Sequence, residues 1–312
     1  MLVMDPSSLD DLRELLGDFE AEMRHKNRSD GTIKLYRRHV LMLVEYLEAN
    51  ELPTTAPEIT REHLRDYLTN LLERPNRRTG KALSPQYAHG VYRSLQQLWK
   101  YLYAEEIIDS NPFDRIEPPS VPEKPTPVPA TDDLRALLKA CEGTGHAERR
   151  DAAVIRLLVD TGMRVGELIG LEVESLDFAE NTALIVGKGE RPRVVPFGDR
   201  TRTALRRYLR VRSQHHAAHI SALWLGRRGR MTGDGVRQML KSRCKQAKID
   251  HIHPHQLRHF FAHNWLAAGG QEQDLMMLAG WRSRQMLARY GASVASERAR
   301  EAHRRARPGD QL

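Results

Sequence analysis

Apolar residues in the first hundred positions recur every three or four residues, which is the spacing of one face of an α-helix. The pattern predicts a first helix with Ser8 as its N-cap, a second after Gly31 and a third that begins at Thr60. A fourth is predicted at Ser84-Pro85, where a capping hydroxyl precedes proline at the first helical position. This part of the chain is therefore predicted to be an all-α module.

A proline-rich segment follows the helical module. Seven prolines lie between Pro112 and Pro129. Because proline lacks an amide hydrogen and blocks helix continuation, the segment is predicted to be an extended linker between two domains. The alternative is a long surface loop within one domain, which is uncommon at this length. The expected domains are residues 1–110 and 130–312, joined by a linker of residues 111–129.

The second domain combines helical patterns with two short runs rich in β-branched residues. These runs, residues 182–186 and 193–197, flank Gly187-Lys188-Gly189, which predicts a β-hairpin with a glycine-rich turn. Helices are predicted at approximately 150–161, 167–171, 200–216, 232–247, 256–268 and 271–279. The predicted fold is mainly α with a small antiparallel β-sheet, in the α+β class.

Composition narrows the class of protein. Of the 312 residues, 40% are hydrophobic and 29% are charged, which is typical of a globular protein. No apolar run reaches the roughly 18 residues that a bilayer span needs, and the first residues do not resemble a secretory signal. The two cysteines, Cys141 and Cys244, lie in no disulfide or metal motif. A cytoplasmic location is therefore expected.

Positive charge points to a polyanionic partner. The net charge is +8 at pH 7 and the pI is about 9.6, which favours nucleic acid. Basic residues cluster at Arg200, Arg202, Arg206, Arg207, Arg210, Arg212, Arg227, Arg228, Arg230, Arg237, Lys241, Arg243 and Lys245. Contacts with DNA phosphates are predicted for Arg202, Arg206, Arg227, Arg228, Arg237 and Lys241. The alternative is a solvated helix face, which would usually mix in acids. Acids are scarce here, with Asp199 and Asp234 at the cluster edges.

The second domain also holds residue types that can cleave a phosphodiester without a metal. Arginine grips phosphate oxygens through a rigid, permanently charged fork, which suits Arg164 and Arg258. A general acid must release a proton, and Lys188 is the only lysine between Lys139 and Lys241. Lys188 is therefore predicted to be the acid, with an ordinary turn lysine as the alternative.

Histidine and tryptophan residues extend this set. His255 lies three residues before Arg258, on the same helical face. His255, His259 and His263 also have the i, i+4, i+8 spacing of a metal-binding face, but no His-Glu-x-x-His motif accompanies them. Neither a metal nor another cofactor is expected. Trp281 can donate its indole N–H to a phosphate oxygen but cannot titrate, and its alternative role is that of a core side chain.

Four motifs together resemble those of tyrosine recombinases of the integrase family. They are Thr-Gly-x-Arg-x-x-Glu-Leu at 161–168, Gly-Lys-Gly followed by Arg-Val-Val-Pro at 193–196, His-x-Leu-Arg-His at 255–259, and Gly-Trp at 280–281 before Tyr290. The family most often has histidine where Trp281 stands, although some members carry tryptophan. The resemblance implies that residues 1–110 form a helical, SAM-like core-binding domain. It also implies that residues 130–312 form the catalytic domain, with a C-terminal tail that docks onto a neighbouring protomer.

The resemblance implies a covalent reaction route. Tyr290 would attack the scissile phosphate and give a 3′-phosphotyrosyl enzyme with a free 5′-hydroxyl. Lys188 would protonate the leaving 5′-oxygen, and His255 would assist proton transfer from the tyrosine.

The remaining site residues are implied to bind the phosphate or to support those that do. Arg164, Arg258 and Trp281 would stabilise the pentavalent phosphorane. Glu167 would orient the basic residues without contacting the phosphate itself. His259 would support the residues that bind the phosphate, or would pack against them.

The resemblance also implies an assembly. In this family four protomers on two duplexes exchange strands through a Holliday junction. The expected partners are therefore double-stranded DNA with a specific recombination site, three further copies of the chain, and accessory recombination factors. The motifs leave two biological roles open, integration or excision of a phage or mobile element and resolution of chromosome dimers. Two alternatives to recombination are DNA relaxation by a type IB topoisomerase-like mechanism and non-catalytic DNA binding.

Overall fold

The chain divides into two compact units, Met1–Glu123 and Lys124–Leu312. The division falls inside the segment that was predicted to be a linker. The computed structural model describes residues 10–75, 80, 82–122, 127–186, 192–281, 283, 287, 300, 303 and 304. Within these residues, no helix is both long and apolar enough to cross a membrane.

The first unit is helical, as the apolar pattern predicts. Its α-helices are α1 (Leu12–His25), α2 (Asp30–Ala49), α3 (Arg61–Glu73) and α4 (Pro85–Ala104). Short 3-10 turns lie at Ala56–Glu58 and Pro112–Arg115. Leucine and aromatic side chains from the four α-helices described in this unit form its core, including the buried Phe19, Tyr67 and Trp99.

Helix starts in this unit follow the capping side chains. Thr60 and Ser84 cap α3 and α4 as predicted. The first helix that the structure describes, α1, begins at Leu12, because Asp11 caps it through the amide of Arg13 at 2.8 Å. Ser8 itself lies outside the described residues. The second helix begins before Gly31, because Ser29 accepts the amide hydrogen of Thr32.

The second unit alternates helices with short strands. Its α-helices are α5 (Thr131–Lys139), α6 (His146–Thr161), α7 (Val165–Gly170), α8 (Asp199–Arg212), α9 (Gly233–Ala247), α10 (Pro254–Ala267) and α11 (Glu272–Ala279). Its strands are β1 (Leu176–Asp177), β2 (Thr182–Ile185), β3 (Arg193–Pro196), β4 (Leu225–Gly226) and β5 (Gly229–Arg230). Helix α6 is central, since it packs against both α8 and α10. The predicted class, mainly α with small antiparallel sheets, is confirmed.

Two antiparallel sheets lie among these helices. Strands β1, β2 and β3 form one sheet in that order, and β4 pairs with β5. In the predicted hairpin, Ala183 lies opposite Val195 and both are buried, whereas Leu184 lies opposite Val194 on the exposed face. The two-residue strands β1, β4 and β5 were not predicted, because they are too short to show a period.

Two members of the basic cluster are structural. Arg212 is buried and donates to four backbone carbonyls between residues 218 and 223. Arg243 is buried and bonds to Asp151, which also accepts from Arg150. Because their guanidinium donors bond inside the protein, these two arginines do not belong with the DNA-facing candidates.

Candidate active site

A glycine turn at the end of α6 places the first arginine. Gly162 has a φ of 60°, in the left-handed region, and ends the helix. A Cβ atom there would lie 2.2 Å from a ring carbon of Phe261, so the turn leaves no room for a side chain. The chain reverses over this turn and makes Arg164 the N-cap residue of α7.

A buried carboxylate lies behind Arg164. The side chain of Glu167 is only 5% exposed. Its two oxygens accept from the amide of Arg164 at 2.8 Å and from Nη1 of Arg164 at 3.0 Å. They also accept from Nη1 and Nη2 of Arg193 at 3.0 and 2.7 Å. One carboxylate therefore holds two arginines, and the supporting role of Glu167 in the reaction stays a prediction.

The ionisation of Glu167 follows from these contacts. Burial by itself raises the pKa of a carboxyl group, because it penalises the charged form. Hydrogen bonds from Arg193 and from the Arg164 amide, together with both positive charges, more than offset burial and lower the pKa of Glu167. The residue is thus a carboxylate at neutral pH.

The second arginine comes from α10. Arg258 is almost entirely buried, at 2% exposure. It donates to the carbonyl oxygen of Gly162 at 2.8 Å and to that of Ala279 at 2.7 Å. Its guanidinium carbon lies 5.4 Å from the ring centroid of Trp281. These contacts bring Arg258 and Trp281 together beside the glycine turn that precedes Arg164.

Two histidines lie on the same helix, α10. The rings of His255 and His259 meet edge to face, with centroids 5.0 Å apart. His255 is exposed, and partial desolvation together with Arg258 and Arg164 lowers its pKa. Burial, with His255 and Arg258, lowers the pKa of His259 to about 4. Both rings are thus neutral at pH 7, and a neutral His255 can accept a proton.

The carbonyl end of α11 gathers three arginines. The backbone oxygens of the consecutive residues 278–280 accept from Arg193 at 3.0 Å, Arg258 at 2.7 Å and Arg164 at 3.4 Å, in that order. The C-terminus of a helix carries partial negative charge, so guanidinium groups stabilise it. The chain then turns through Gly280, at a φ of 65°, to Trp281. The end of α11 therefore sets the spacing of the arginines relative to Trp281.

The structure thus brings together Arg164, Glu167, Arg258 and Trp281 through side-chain contacts and shared backbone carbonyls. His255 lies one turn before Arg258 on α10, and His259 follows Arg258 directly. Lys188 and Tyr290 lie outside the described residues, and their roles stay predictions. Among the described residues, no group of three or more His, Cys, Asp or Glu side chains is placed to hold a metal ion.

Sequence reasoning missed the role of Arg193. It appeared only as part of the Arg-Val-Val-Pro strand motif, although its side chain is 11% exposed and bonds to Glu167. A charged residue at the start of a β-branched run was the available signal. Its partner could not be identified, since Glu167 lies 26 residues earlier in the chain.

The predicted phosphate-binding residues lie elsewhere on the second unit. Arg202 pairs with Asp199 at 3.0 Å, and Arg237 pairs with Asp234. The guanidinium of Arg206 lies 5.4 Å from the ring centroid of Phe178. Exposed side chains at the β4–β5 turn and on α9 complete the set, namely Arg227, Arg228 and Lys241. Exposed pairs of this kind are worth about 0–1 kcal/mol, so they do not prevent phosphate contact.

Comparisons with known proteins relate the chain to a family, to named relatives and to solved structures. The model of the phage integrase family matches residues 130–297. Tyrosine recombinase XerC of Oceanobacillus iheyensis is 29% identical over 292 residues, covering 91% of this chain and 92% of that protein. The XerC of Anoxybacillus flavithermus is 30% identical over 264 residues, covering 82% and 84%. The fold also matches the XerH site-specific recombinase bound to a palindromic difH substrate, with a TM-score of 0.70 and 17% identity over 94% of this chain and 84% of that one.

Proposed function

Since the chain belongs to the phage integrase family and is a tyrosine-type site-specific DNA recombinase, we propose that Arg164, Arg258 and Trp281 bind the scissile phosphate while Tyr290 attacks it. The observation that carries this proposal is the end of α11, where adjacent carbonyls hold Arg164 and Arg258 next to Trp281. Two guanidinium groups and one indole N–H supply the donors that a phosphorane needs. DNA is the substrate.

Proton transfer completes the reaction. The Tyr290 oxygen forms a bond to phosphorus, and its proton passes to the neutral imidazole of His255. The bond from phosphorus to the 5′-oxygen breaks, and Lys188 donates a proton to that oxygen. The products are a 3′-phosphotyrosyl enzyme and a free 5′-hydroxyl. Because the phosphotyrosyl bond replaces the phosphodiester, a second 5′-hydroxyl can reverse the steps and join a new strand.

Strand exchange between two duplexes requires more than one active site. We propose that four copies of the chain act on two duplexes through a Holliday junction, with accessory factors controlling direction. The tail of residues 293–307 would dock onto the next protomer, and residues 1–110 would supply the core-binding domain. The six basic candidates Arg202, Arg206, Arg227, Arg228, Arg237 and Lys241 would contact phosphates away from the cleaved bond.

The biological role that we propose is the resolution of chromosome dimers. Its support is that relatives named XerC align over nine-tenths of both chains. Action on chromosomal DNA would place the protein in the cytoplasm. Integration of a mobile element is the second role of the same chemistry. The topoisomerase and non-catalytic alternatives receive no support from the relatives.

Capture of the cleaved site tests both the chemistry and the role. Wild-type protein is incubated with sheared genomic DNA of its own cell, denatured with detergent, and the covalently bound DNA is sequenced. We expect one enriched sequence with protein on its 3′ end, and no enrichment with Tyr290→Phe. A single chromosomal site outside any mobile element supports dimer resolution, whereas sites at the ends of an element support integration. Absence of any covalent DNA contradicts the proposed function.

A further inference from the structure

Arg193 joins three parts of the catalytic unit. It is the first residue of β3, and its two terminal nitrogens bond to both oxygens of Glu167 on α7. Its Nε donates to the carbonyl oxygen of Leu278 on α11 at 3.0 Å. The same guanidinium also lies against the next turn, since a Cβ atom on Gly280 would be 3.0 Å from its central carbon. One side chain therefore connects the sheet, the carboxylate behind Arg164, and the turn that leads to Trp281.

Arg193 and Arg164 share the carboxylate of Glu167, so the position of one affects the position of the other. Nη1 of Arg164 shares Oε1 of Glu167 with Nη1 of Arg193, while Arg193 also occupies Oε2 through Nη2. If Arg193 were lost, Oε1 would accept only from the Arg164 side chain and Oε2 only from the Arg164 amide, which leaves room at Oε2 for a second side-chain nitrogen of Arg164. Arginine and carboxylate prefer a bidentate pair, so the Arg164 guanidinium would turn toward Glu167. It would then be displaced from the place where it binds the phosphate.

We propose that Arg193 is a positioning residue for strand cleavage. It fixes the Glu167 carboxylate, and through it Arg164, relative to the end of α11 that carries Trp281. The proposal rests on the proposed function, because it assumes that Arg164 and Trp281 bind the scissile phosphate. Arg193 itself does not touch the substrate.

Lysine cannot replace this arginine. A guanidinium presents donors on several edges of one rigid plane, and Arg193 uses two edges to reach the carboxylate and the Leu278 carbonyl. A lysine ammonium is a single nitrogen on a flexible stem, so it cannot span both partners. The charge alone is therefore insufficient.

The second unit contains a matched control. Arg243 is also buried, bonds to a buried carboxylate that a second arginine shares, and donates to a carbonyl at the end of a helix. Its partners are Asp151, Ala140, Gln246 and Glu148, and they make none of the contacts that define the active site. A purely structural role predicts the same behaviour for Arg193 and Arg243.

The test compares Arg193→Lys and Arg193→Met with Arg243→Lys and Arg243→Met. For each full-length variant, the rate of covalent adduct formation is measured in a single turnover on a nicked duplex with the captured site. DNA affinity and Tm are measured alongside, and all rates are taken well below the lowest Tm. A misplacement of about 1 Å can reduce a rate about 10²-fold. We expect a loss of that order for both Arg193 variants with DNA affinity unchanged, while both Arg243 variants cleave at nearly the wild-type rate.

The outcomes are distinguishable. Wild-type rates in the Arg193 variants, or equal losses in the Arg243 variants, would overturn the positioning role. Additive losses in Arg193→Met combined with Glu167→Gln would overturn the route through Glu167, because residues that act through one another are not additive. If the wild-type protein forms no adduct, or if Arg164→Ala keeps the wild-type rate, the proposed function fails first.

Discussion

Gly162→Ala is expected to damage both the fold and the active site. The new methyl group would lie 2.2 Å from Cδ1 of Phe261, and the residue would keep a φ of 60°. A side chain in the left-handed region costs about 1–2 kcal/mol, and overpacking typically costs about 1–3 kcal/mol. The free energy of unfolding of the second unit should therefore fall by about 2–5 kcal/mol.

The expected Tm shift follows from the size of the unit. Residues 124–312 form one compact unit, and for a unit of this size each kcal/mol is expected to change Tm by about 2–4 °C. Differential scanning calorimetry should therefore show a decrease of about 4–20 °C. Cleavage should also slow by about 10²-fold below the Tm, since the Gly162 carbonyl holds Arg258 and Arg164 follows two residues later.

Two variants separate the causes of this effect. Adding Phe261→Leu to Gly162→Ala should recover the part due to the clash but not the part due to the backbone conformation. Gly166→Ala is the control, because nothing lies within 4 Å of a Cβ there and its φ is ordinary. It should leave both Tm and the cleavage rate near wild type. A Gly162→Ala protein that matches wild type in both measurements refutes this interpretation of the turn.

Three further predictions concern the chemistry. Trp281→Phe should slow cleavage about 10²-fold, because one donor to the phosphate is lost. Trp281→His should stay within about tenfold of the wild-type rate, because imidazole also donates a hydrogen bond. Equal cleavage rates for the two variants would contradict the donor role. Cleavage by Lys188→Ala should be rescued by a substrate with sulfur at the 5′ bridging position, because a thiol with a pKa of about 8.5 leaves without an acid. Cleavage by Arg164→Ala, the control, should not be rescued. Failure to rescue Lys188→Ala would contradict the role of Lys188 as the acid. His259 has a lowered pKa, so its contribution to stability is present above pH 6.5 and is lost as the pH falls toward about 4; His259→Gln should flatten that part of a plot of Tm against pH.

Local signals explain which elements were predictable. Thr60 and Ser84 precede segments with a clear helical spacing of apolar residues. A hydroxyl at such a position accepts a backbone amide hydrogen from the first turn of the helix. The hairpin was predictable because β-branched runs flank a glycine turn. At the start of α1 it is Asp11 that makes the capping bond beside the apolar stripe, and the sequence did not single this residue out. Competing caps within one turn cannot be ranked from their residue types.

Long-range contacts explain what was missed. The basic cluster could not be divided by sequence alone, since Arg212 owes its burial to a loop several residues later. The pairing of Arg193 with Glu167 joins a strand to a helix, and no local pattern carries that information. The convergence of Arg193, Arg258 and Arg164 on the end of α11 depends in the same way on the packing of distant elements. The sequence predicted which residue types form the site, but not which backbone carbonyls hold the arginines in place.

The central claim is that Tyr290 cuts DNA and becomes joined to the 3′ end without help from a metal. The direct measurement uses a nicked suicide duplex with the captured site, incubated with wild-type and Tyr290→Phe protein in the presence of EDTA. Mass spectrometry of the proteolysed adduct identifies the modified residue. We predict a 3′-phosphotyrosyl peptide that contains Tyr290, and no adduct in the variant. Cleavage that leaves no covalent protein, or an adduct that persists in Tyr290→Phe, would contradict the claim.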